Sequence, residues 1–342
     1  MPETLNPRRG HILKHVIEEY VVTAQPVSSD TVVRKYLPSV SSATVRNELA
    51  ALEDFGYLYH PHTSAGRVPS DLGYRYYVEE LMGGARLSEM EERTISHQFH
   101  QVELDVSEWL RLAASVLTMQ VHNPVLVAPP VASVSRLRRL DLVPISTGAI
   151  LLVLILQSGA VRQQVVRVGE DLATGELTRL ANEWNERLVG RSAFEVRQSG
   201  VVEAQPAIIE AVVEILEEGD RQAARSGDIL IEGLSYMAAQ PEFGTSERLL
   251  PIVEALERES VLGSLMEPLL RSEGVYVAIG AEQPLQRLQE CSVVVATYGR
   301  PDEVFGVVGV IGPTRLPYWR VVPMVDYIAG MLDRLLEETF LS

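Results

Sequence analysis

The stretch Ser41-Ser42-Ala43-Thr44-Val45-Arg46-Asn47-Glu48-Leu49-Ala50-Ala51-Leu52-Glu53-Asp54-Phe55-Gly56 decides the fold of the N-terminal part of this 342-residue chain. Ser41 or Ser42 supplies a hydroxyl that can cap a helix, and Gly56 suits the position just after the last turn. The large apolar side chains recur at helical spacing and are expected to point inward: Val45, Leu49 and Leu52. The stretch therefore predicts an amphipathic helix with a polar outer face.

A longer and a shorter helix precede this stretch. Residues 8–22 carry two adjacent apolar rows at helical spacing, which are Ile12, Val16 and Tyr20, and Leu13, Ile17 and Val21. The segment Ala24-Gln25-Pro26-Val27 interrupts that pattern. Ser28 or Ser29 then caps a short helix that ends near Tyr36, just before Leu37-Pro38. Three short helices with these breaks predict a helix-turn-helix.

A hairpin pattern follows the third helix. Tyr57-Leu58-Tyr59 is an apolar and aromatic strand, residues 60–66 are rich in turn formers, and Arg67-Val68-Pro69 can return as the partner strand. A hairpin directly after a helix-turn-helix is typical of a winged helix. We therefore expect a winged helix within the first 80 residues.

The outer face of the third helix carries small or hydrogen-bonding side chains and one arginine. Arginine pairs with guanine in the major groove, asparagine pairs with adenine, and serine or threonine serve bases or phosphates. The alternative is that Arg46 and Asn47 are ordinary solvated helix residues. The hairpin favours DNA, because a flexible basic tip at Gly66-Arg67 suits phosphate or minor-groove contact. The candidate DNA-binding residues are Ser42, Thr44, Arg46, Asn47, His62, Thr63, Ser64, Gly66 and Arg67.

Several contiguous motifs resemble the HrcA family of bacterial heat-inducible transcription repressors. They are Pro26-Val27-Ser28-Ser29, Ser41 to Asn47, Leu52-Glu53-x-x-Gly56, Pro61 to Pro69, Gly73-Tyr74-Arg75-Tyr76-Tyr77-Val78, Cys291-Ser292 and Gly309-Val310-Ile311-Gly312-Pro313-Thr314-Arg315. The resemblance implies an inverted-repeat operator, a homodimer, and a chaperonin partner that keeps the repressor active. It also implies a domain similar to GAF sensors, interrupted by a dimerising insertion.

The remaining pattern is strands, then helices, then strands. Residues 86–120 read as one or two helices, and antiparallel strands follow at 137–143, 149–156 and 161–168. Helical segments are expected near 175–189, 206–217, 227–239, 246–258 and 261–271. Strands return at 275–279, 292–298 and 304–311, and a final helix is expected to open at Pro323. This order predicts an α+β domain with an insertion.

The predicted fold class is accordingly α+β and multidomain, with an N-terminal winged helix-turn-helix followed by an interrupted GAF-like domain. We expect a winged-helix domain at 1–85, the first GAF-like part at 86–171, a mainly helical dimerisation insert at 172–259 and the second GAF-like part at 260–342. A GAF-like fold often hosts a small molecule, but we favour a pocket filled by its own apolar side chains, with no cofactor.

Composition and charge limit the other function classes. The formal net charge of −16 argues against non-specific nucleic-acid binding, and the first 80 residues carry only −2 of it. One cysteine, Cys291, excludes an intrachain disulfide and a CxxC metal site. The longest apolar run, 149–156, is far too short for a membrane helix, so a soluble cytoplasmic protein is expected. The chain contains no nucleophile elbow, P-loop or HExxH motif, so we expect neither an enzyme nor a metal site.

Together with the predicted winged helix, the resemblance implies a dimeric, sequence-specific repressor of heat-shock chaperone operons that releases its operator on heat shock. Two alternatives stay open. One is a metabolite-gated transcription factor that uses the GAF-like domain as its sensor. The other is an adaptor that uses the winged helix to bind protein instead of DNA, which the acidity of the chain would suit.

Overall fold

The computed structural model describes residues 5–62, 66–101, 105–132, 135–157, 160–168, 173–199, 205–225, 229–258, 264, 268–269, 272, 274–300 and 304–340. The chain forms two compact units. The first comprises Met1–Pro129, Ile229–Tyr298 and Gly306–Ser342, and the second comprises Pro130–Asp228 and Gly299–Phe305. Within the described residues, no helix is both long enough and apolar enough to cross a membrane.

Three helices open the first unit: α1 (Pro7–Thr23), α2 (Ser29–Lys35) and α3 (Ser42–Asp54). Each begins after a side chain that accepts a backbone N–H of the first turn, namely Asn6, Ser28 and Ser41. The helix α1 ends where Ala24 adopts a left-handed φ of 52°. Five of the six side chains in its apolar rows are buried, as the sequence pattern predicts, and Tyr20 is half-buried. The helix packs against α2 and α3.

A short hairpin and a fourth helix complete the N-terminal group. Strand β1 (Leu58–Tyr59) pairs antiparallel with β2 (Val68–Pro69). Next to β2, Arg67 and Val27 exchange two backbone hydrogen bonds of 2.8 Å. Ser70 caps α4 (Asp71–Tyr76), which continues into one π-helical turn at Tyr77–Leu81. The hairpin is thereby fastened to the segment that enters α2.

The rest of the first unit is built around a five-stranded sheet. Its strands are β3 (Val125–Ala132), β7 (Leu230–Glu232), β8 (Val275–Ile279), β9 (Cys291–Gly299) and β10 (Val304–Pro313), in the spatial order β7-β3-β10-β9-β8. The helices of this part are α5 (Glu89–Phe99), α6 (Val106–Val121), α10 (Leu234–Ala238), α11 (Ser246–Arg258) and α12 (Tyr318–Phe340). The unbroken apolar run of β9 is buried almost throughout, which suits a strand inside a sheet.

The second unit contains a three-stranded antiparallel sheet and three helices. The sheet consists of β4 (Leu137–Ser146), β5 (Ala149–Leu156) and β6 (Val161–Arg167), with β5 in the centre. Alternate residues of β5 are buried, from Ile150 to Leu156. They share a core with α7 (Thr174–Leu188), α8 (Ala193–Gln198) and α9 (Pro206–Arg225), which contribute among others Trp184 and Ile208.

Two expected helices differ from the observed elements. The segment expected to be helical near 227–239 is strand β7 and the short helix α10, because Gly233 takes a left-handed φ of 82° between them and β7 pairs with β3. The last helix opens at Tyr318 and not at Pro323, because the carbonyl of Pro317 already accepts the N–H groups of Arg320 and Val321. Most of the helix expected at 261–271 lies outside the described residues.

The boundaries of the two units also differ from the expected domain boundaries. Residues 137–167 were expected in the first GAF-like part, but their sheet shares a core with α7, α8 and α9. Residues 229–258 were expected in the insert, but they belong to the first unit because β7 lies at the edge of the five-stranded sheet. Residues 1–85 fall in that same unit together with the five-stranded sheet.

Candidate nucleic-acid interface

The helix α3 separates its apolar and polar side chains cleanly. Val45, Leu49 and Leu52 are at most 1% exposed, whereas Arg46 and Asn47 lie on the exposed side. Among the described residues, none forms a hydrogen bond or an ion pair with the side chain of Arg46 or Asn47. A guanidinium and an amide that are exposed on one rigid helix are free to donate to a ligand of that face. These two residues are therefore the centre of the candidate interface.

The hydroxyls at the start of α3 have partners within the protein. Ser41 accepts the N–H of Thr44 at 3.1 Å, and its hydroxyl lies 2.8 Å from that of Thr44. The hydroxyl of Ser42 donates to Oδ1 of Asp30 at 2.5 Å and lies 3.4 Å from that of Ser29. These bonds join the beginnings of α2 and α3 and fix the angle at which α3 is presented.

The structure brings the hairpin residues to different places. His62 is exposed before the turn, while Thr63 and Ser64 lie outside the described residues. Gly66 is in close contact with the backbone of Val27, where a Cβ atom would lie 2.5 Å from the carbonyl carbon. Glycine is therefore required at Gly66 for close packing, not for the flexible tip that the sequence predicts.

Arg67 is likewise not a free basic tip. Its side chain is only 16% exposed, and its Nη2 atom lies 3.0 Å from Oε2 of Glu53 at the end of α3. The other carboxylate oxygen of Glu53 lies 2.7 Å from Nδ1 of His60. Burial acts to raise the pKa of Glu53, but the bond with His60 and the charge of Arg67 outweigh it and lower that pKa. Arg67 thus connects the hairpin to α3, because its guanidinium is taken by Glu53.

A second buried cluster supports α2 and was not predicted. Glu19 of α1 is 7% exposed and accepts bonds from Nζ of Lys35 at 2.5 Å and from the hydroxyl of Tyr36 at 2.7 Å. These two bonds lower the pKa of Glu19, while burial and the contact with Glu19 raise that of Tyr36 to about 12. The ring of His15 stacks on Tyr36. Glu19 and Lys35 are 16 residues apart, so no local sequence pattern indicates that they pair.

The described residues contain no cluster of three or more His, Cys, Asp or Glu side chains arranged to hold a metal ion. His97 and His100, which have helical metal spacing, instead lie beside Gln101 and the carbonyl of Ser96. Burial raises the pKa of the Cys291 thiol to about 12, so the thiol is protonated and unreactive at neutral pH.

Comparison with known proteins agrees with the motifs in the sequence. Residues 107–322 match the family described as the HrcA protein C terminal domain. A curated protein of Roseiflexus sp. (strain RS-1), named heat-inducible transcription repressor HrcA, is 42% identical over 99% of this chain and 97% of its own length. A protein of the same name from Herpetosiphon aurantiacus is 39% identical over 98% of this chain and 96% of its own length.

A solved structure titled as that of a hypothetical protein has the same overall fold. It is 26% identical, with a TM-score of 0.63, and the match covers 98% of this chain and 100% of that one. The family match spans more than half of the chain, and the curated relatives align over nearly all of it. The chain therefore belongs to the HrcA family of heat-inducible transcription repressors.

Proposed function

We propose that this chain is a sequence-specific DNA-binding repressor of heat-shock chaperone operons, which binds an inverted-repeat operator as a homodimer and releases it on heat shock. The observation that carries the proposal is the pair Arg46 and Asn47, whose side chains are exposed on α3 and have no partner among the described residues. Behind this pair the helix is packed rigidly by three buried apolar side chains, of which Val45 is fully buried. A rigid helix with such a pair is suited to the major groove.

Residues 1–85 act in this proposal as a winged helix. Helices α2 and α3 form the helix-turn-helix, α3 reads base edges, and the hairpin is the wing. Arg46 and Asn47 contact bases, and Thr44 contacts a phosphate at the start of α3. Ser42 orients α3 for this contact through its bond to Asp30. The wing approaches the phosphate backbone of the DNA with His62, Thr63, Ser64 and Gly66. Arg67 acts through Glu53, because it holds the wing against α3.

The other predicted domains are proposed with revised boundaries. The five-stranded sheet with α6 and α12 serves as the GAF-like domain. Residues 130–228 serve as the insert, because the chain leaves the sheet after β3 and returns to it at β7, the neighbour of β3. Among the described residues, the interior of the GAF-like part is packed with buried apolar side chains, so we propose no metabolite there.

The proposed homodimer is supported by exposed apolar side chains on one sheet face of the second unit, a face that also carries the Arg139–Asp141 ion pair. Val143, Leu151 and Val165 lie in one row across β4, β5 and β6, on the opposite face from the buried residues of β5. Val143 and Val165 are 45% and 58% exposed, and Val161 on the same face is 52% exposed. An exposed apolar patch on a sheet is typical of a protein–protein interface. We propose that a second copy of this chain covers it.

The experiment that tests DNA recognition is a gel shift with an inverted-repeat chaperone promoter, with and without chaperonin. Arg46→Ala removes a base contact worth about 1–3 kcal/mol of discrimination, so we expect the preference for operator over scrambled DNA to fall by about 5-fold to 150-fold. The oligomeric state is expected to stay unchanged. Chaperonin is expected to increase the fraction of protein that binds.

The matched control is Arg93→Ala, which removes an exposed arginine from α5, outside the interface. Operator binding by this control is expected to equal that of the wild type. Wild-type affinity and selectivity in the Arg46→Ala protein would contradict the proposed role of α3. A wild-type protein that binds no chaperone promoter at all would instead favour the adaptor.

A further inference from the structure

Two of the motifs that resemble the HrcA family are not part of the exposed face of α3. In the structure these two motifs lie together at one junction. The motif Gly73 to Val78 forms the end of α4 and the π-helical turn, and the motif Gly309 to Arg315 ends β10. Both lie in the first unit, where the N-terminal helices meet the part built on the five-stranded sheet. The proposed DNA contacts assign neither motif a role.

The first part of the junction is centred on Arg75 of α4. Its Nε atom donates to Oε1 of Glu282 at 2.9 Å, and its Nη2 atom donates to the carbonyl of Val277 on β8 at 2.7 Å. One turn earlier, Oδ2 of Asp71 accepts the N–H of Ala281 at 2.9 Å. A Cβ at Gly280 would lie 2.1 Å from that oxygen, and the φ of Gly280 is +51°, so only glycine permits this approach.

The second part is centred on Arg315, whose side chain is 12% exposed. Its Nη1 atom donates to the carbonyl of Val21 at the end of α1, at 3.1 Å. The rest of the guanidinium donates to the carboxylate of Glu242 and to Oε1 of Gln240. One arginine after β10 thus holds α1 and the segment before α11 together.

Aromatic rings fill the space between the two arginines. The buried rings of Tyr74 and Tyr318 lie 5.8 Å apart, and those of Tyr77 and Trp319 lie 6.2 Å apart. Tyr318 and Trp319 begin α12. Helix α4 and its π-helical turn therefore dock on the first turn of α12, with a charged bond network on either side. Bidentate arginine bonds of this kind fix orientation as well as distance.

The covalent link beyond this junction does not fix that orientation. Residues 82–88 form no helix or strand, and each is half-buried or exposed. Gly83 takes a φ of +66°, and a Cβ on either Gly83 or Gly84 would contact nothing within 4 Å. Because the link is loose and glycine-rich, the docking contacts alone determine where α3 is presented relative to the sheet.

We propose that Arg75 and Arg315 are positioning residues that set the half-site spacing which the repressor accepts. The inference rests on the proposed function, since spacing has meaning only for a dimer on an inverted repeat. In a dimer, two α3 helices that are each fixed to their sheet reach half-sites at one separation, about 34–36 Å or a multiple of it. Without the two arginines each DNA-binding part swings on its link and reaches several separations.

The test uses the full chain and an inverted repeat selected from random DNA by the wild-type protein. Spacers altered by two and by five base pairs are then compared in gel shifts. Five base pairs turn one half-site about half a turn away, so the wild type is expected to lose the benefit of two linked sites, about 100-fold in affinity. For the double variant Arg75→Gln/Arg315→Gln, we expect a difference of less than about tenfold between spacers.

Two further proteins and a second measurement complete the test. Arg93→Gln makes the same type of substitution once, at an exposed arginine of α5, and is expected to keep the wild-type spacer preference. Insertion of Gly-Ser between Gly83 and Gly84 lengthens the link without touching the junction, so the preferred spacer is expected to stay unchanged. Hydrogen exchange at the amide of Ala281, which donates to Asp71 across the junction, is expected to accelerate in the double variant, which reports undocking without DNA.

The outcomes separate this inference from the function on which it rests. Full spacer discrimination by a dimeric double variant, or unchanged exchange at the amide of Ala281, would overturn the role of the two arginines while the repressor function stands. A shift of the preferred spacer on Gly-Ser insertion would overturn it too, because the link would then set the spacing. Failure of the wild type to select any inverted repeat would refute the proposed function itself.

Discussion

The role inferred for Arg67 changes once its partner in the structure is known. A basic residue in a wing suggests a phosphate contact, but the guanidinium of Arg67 is held by Glu53, which also binds His60. Arg67→Ala leaves this half-buried carboxylate with one partner fewer. We expect the variant to lower the free energy of unfolding by about 1–3 kcal/mol, measured by chemical denaturation of the full chain.

A double-mutant cycle with Glu53→Gln separates this role from a phosphate contact. If the pair acts as a unit, the two substitutions together cost less than the sum of the two alone. A phosphate contact by Arg67 would behave differently. Stability would stay as in the wild type, and the salt dependence of operator binding would fall by about one charge.

Glu19 gives the N-terminal helices a defined dependence on pH. Its pKa is lowered in the folded protein by the bonds from Lys35 and Tyr36, so the folded state favours the charged carboxylate. The resulting stability is fully present above the ordinary carboxylate pKa and is lost as pH falls through the lowered value. Glu19→Gln is therefore expected to lower Tm at pH 7 and to differ less from the wild type as pH falls below about 4.5. A constant difference across that range would contradict the assignment.

At the scale of elements, the sequence predicts local structure well and long-range pairing poorly. The bounds of α1, α2 and α3 agree with the pattern of apolar rows and caps, because those signals act within a few residues. The sheet of β4, β5 and β6 shares a core with α7, α8 and α9 because these helices cover one face of that sheet. The spacing of apolar residues along the chain does not indicate which helices cover which sheet. At the interface, the exposure of Arg46 and Asn47 follows from the helical period, whereas the Arg67–Glu53 pair depends on tertiary contact.

The sheet of the second unit carries an element-scale prediction. Val143→Lys and Val165→Lys place charges on its exposed apolar face without entering the core behind β5. If a second copy covers this face, burying two lysines per copy makes association unfavourable. We expect the double variant to be monomeric by light scattering, with an unchanged circular dichroism spectrum. Val189→Lys is the control, since Val189 is 49% exposed at the end of α7, off the sheet. A double variant that stays dimeric would place the interface elsewhere.

At the scale of the whole molecule, both units contain apolar strands that promote aggregation when they are exposed. The run Ala149–Leu156 forms the centre of one sheet, and the run 293–296 lies in β9 within the other. Neither run contains a charge or proline to oppose strand-to-strand association. Native stability is typically only about 5–15 kcal/mol, so modest heating opens such elements in part of the population. We therefore expect heat to inactivate the protein by exposing these strands.

We accordingly expect warming to remove operator binding through local unfolding or aggregation. In the proposed function operator DNA binds only the folded dimer, so we expect it to slow the loss by mass action. Chaperonin with ATP is expected to restore binding, because it captures exposed apolar segments and returns the chain to folding. In the proposed mechanism, heat-damaged proteins occupy the chaperonin, so we expect less active repressor to survive and its operons to be released. The measurement is residual gel-shift activity after a series of temperatures, with the protein alone, with operator, and with chaperonin plus ATP. Complete recovery of the protein alone, unchanged by chaperonin, would exclude this mechanism and favour gating by a metabolite.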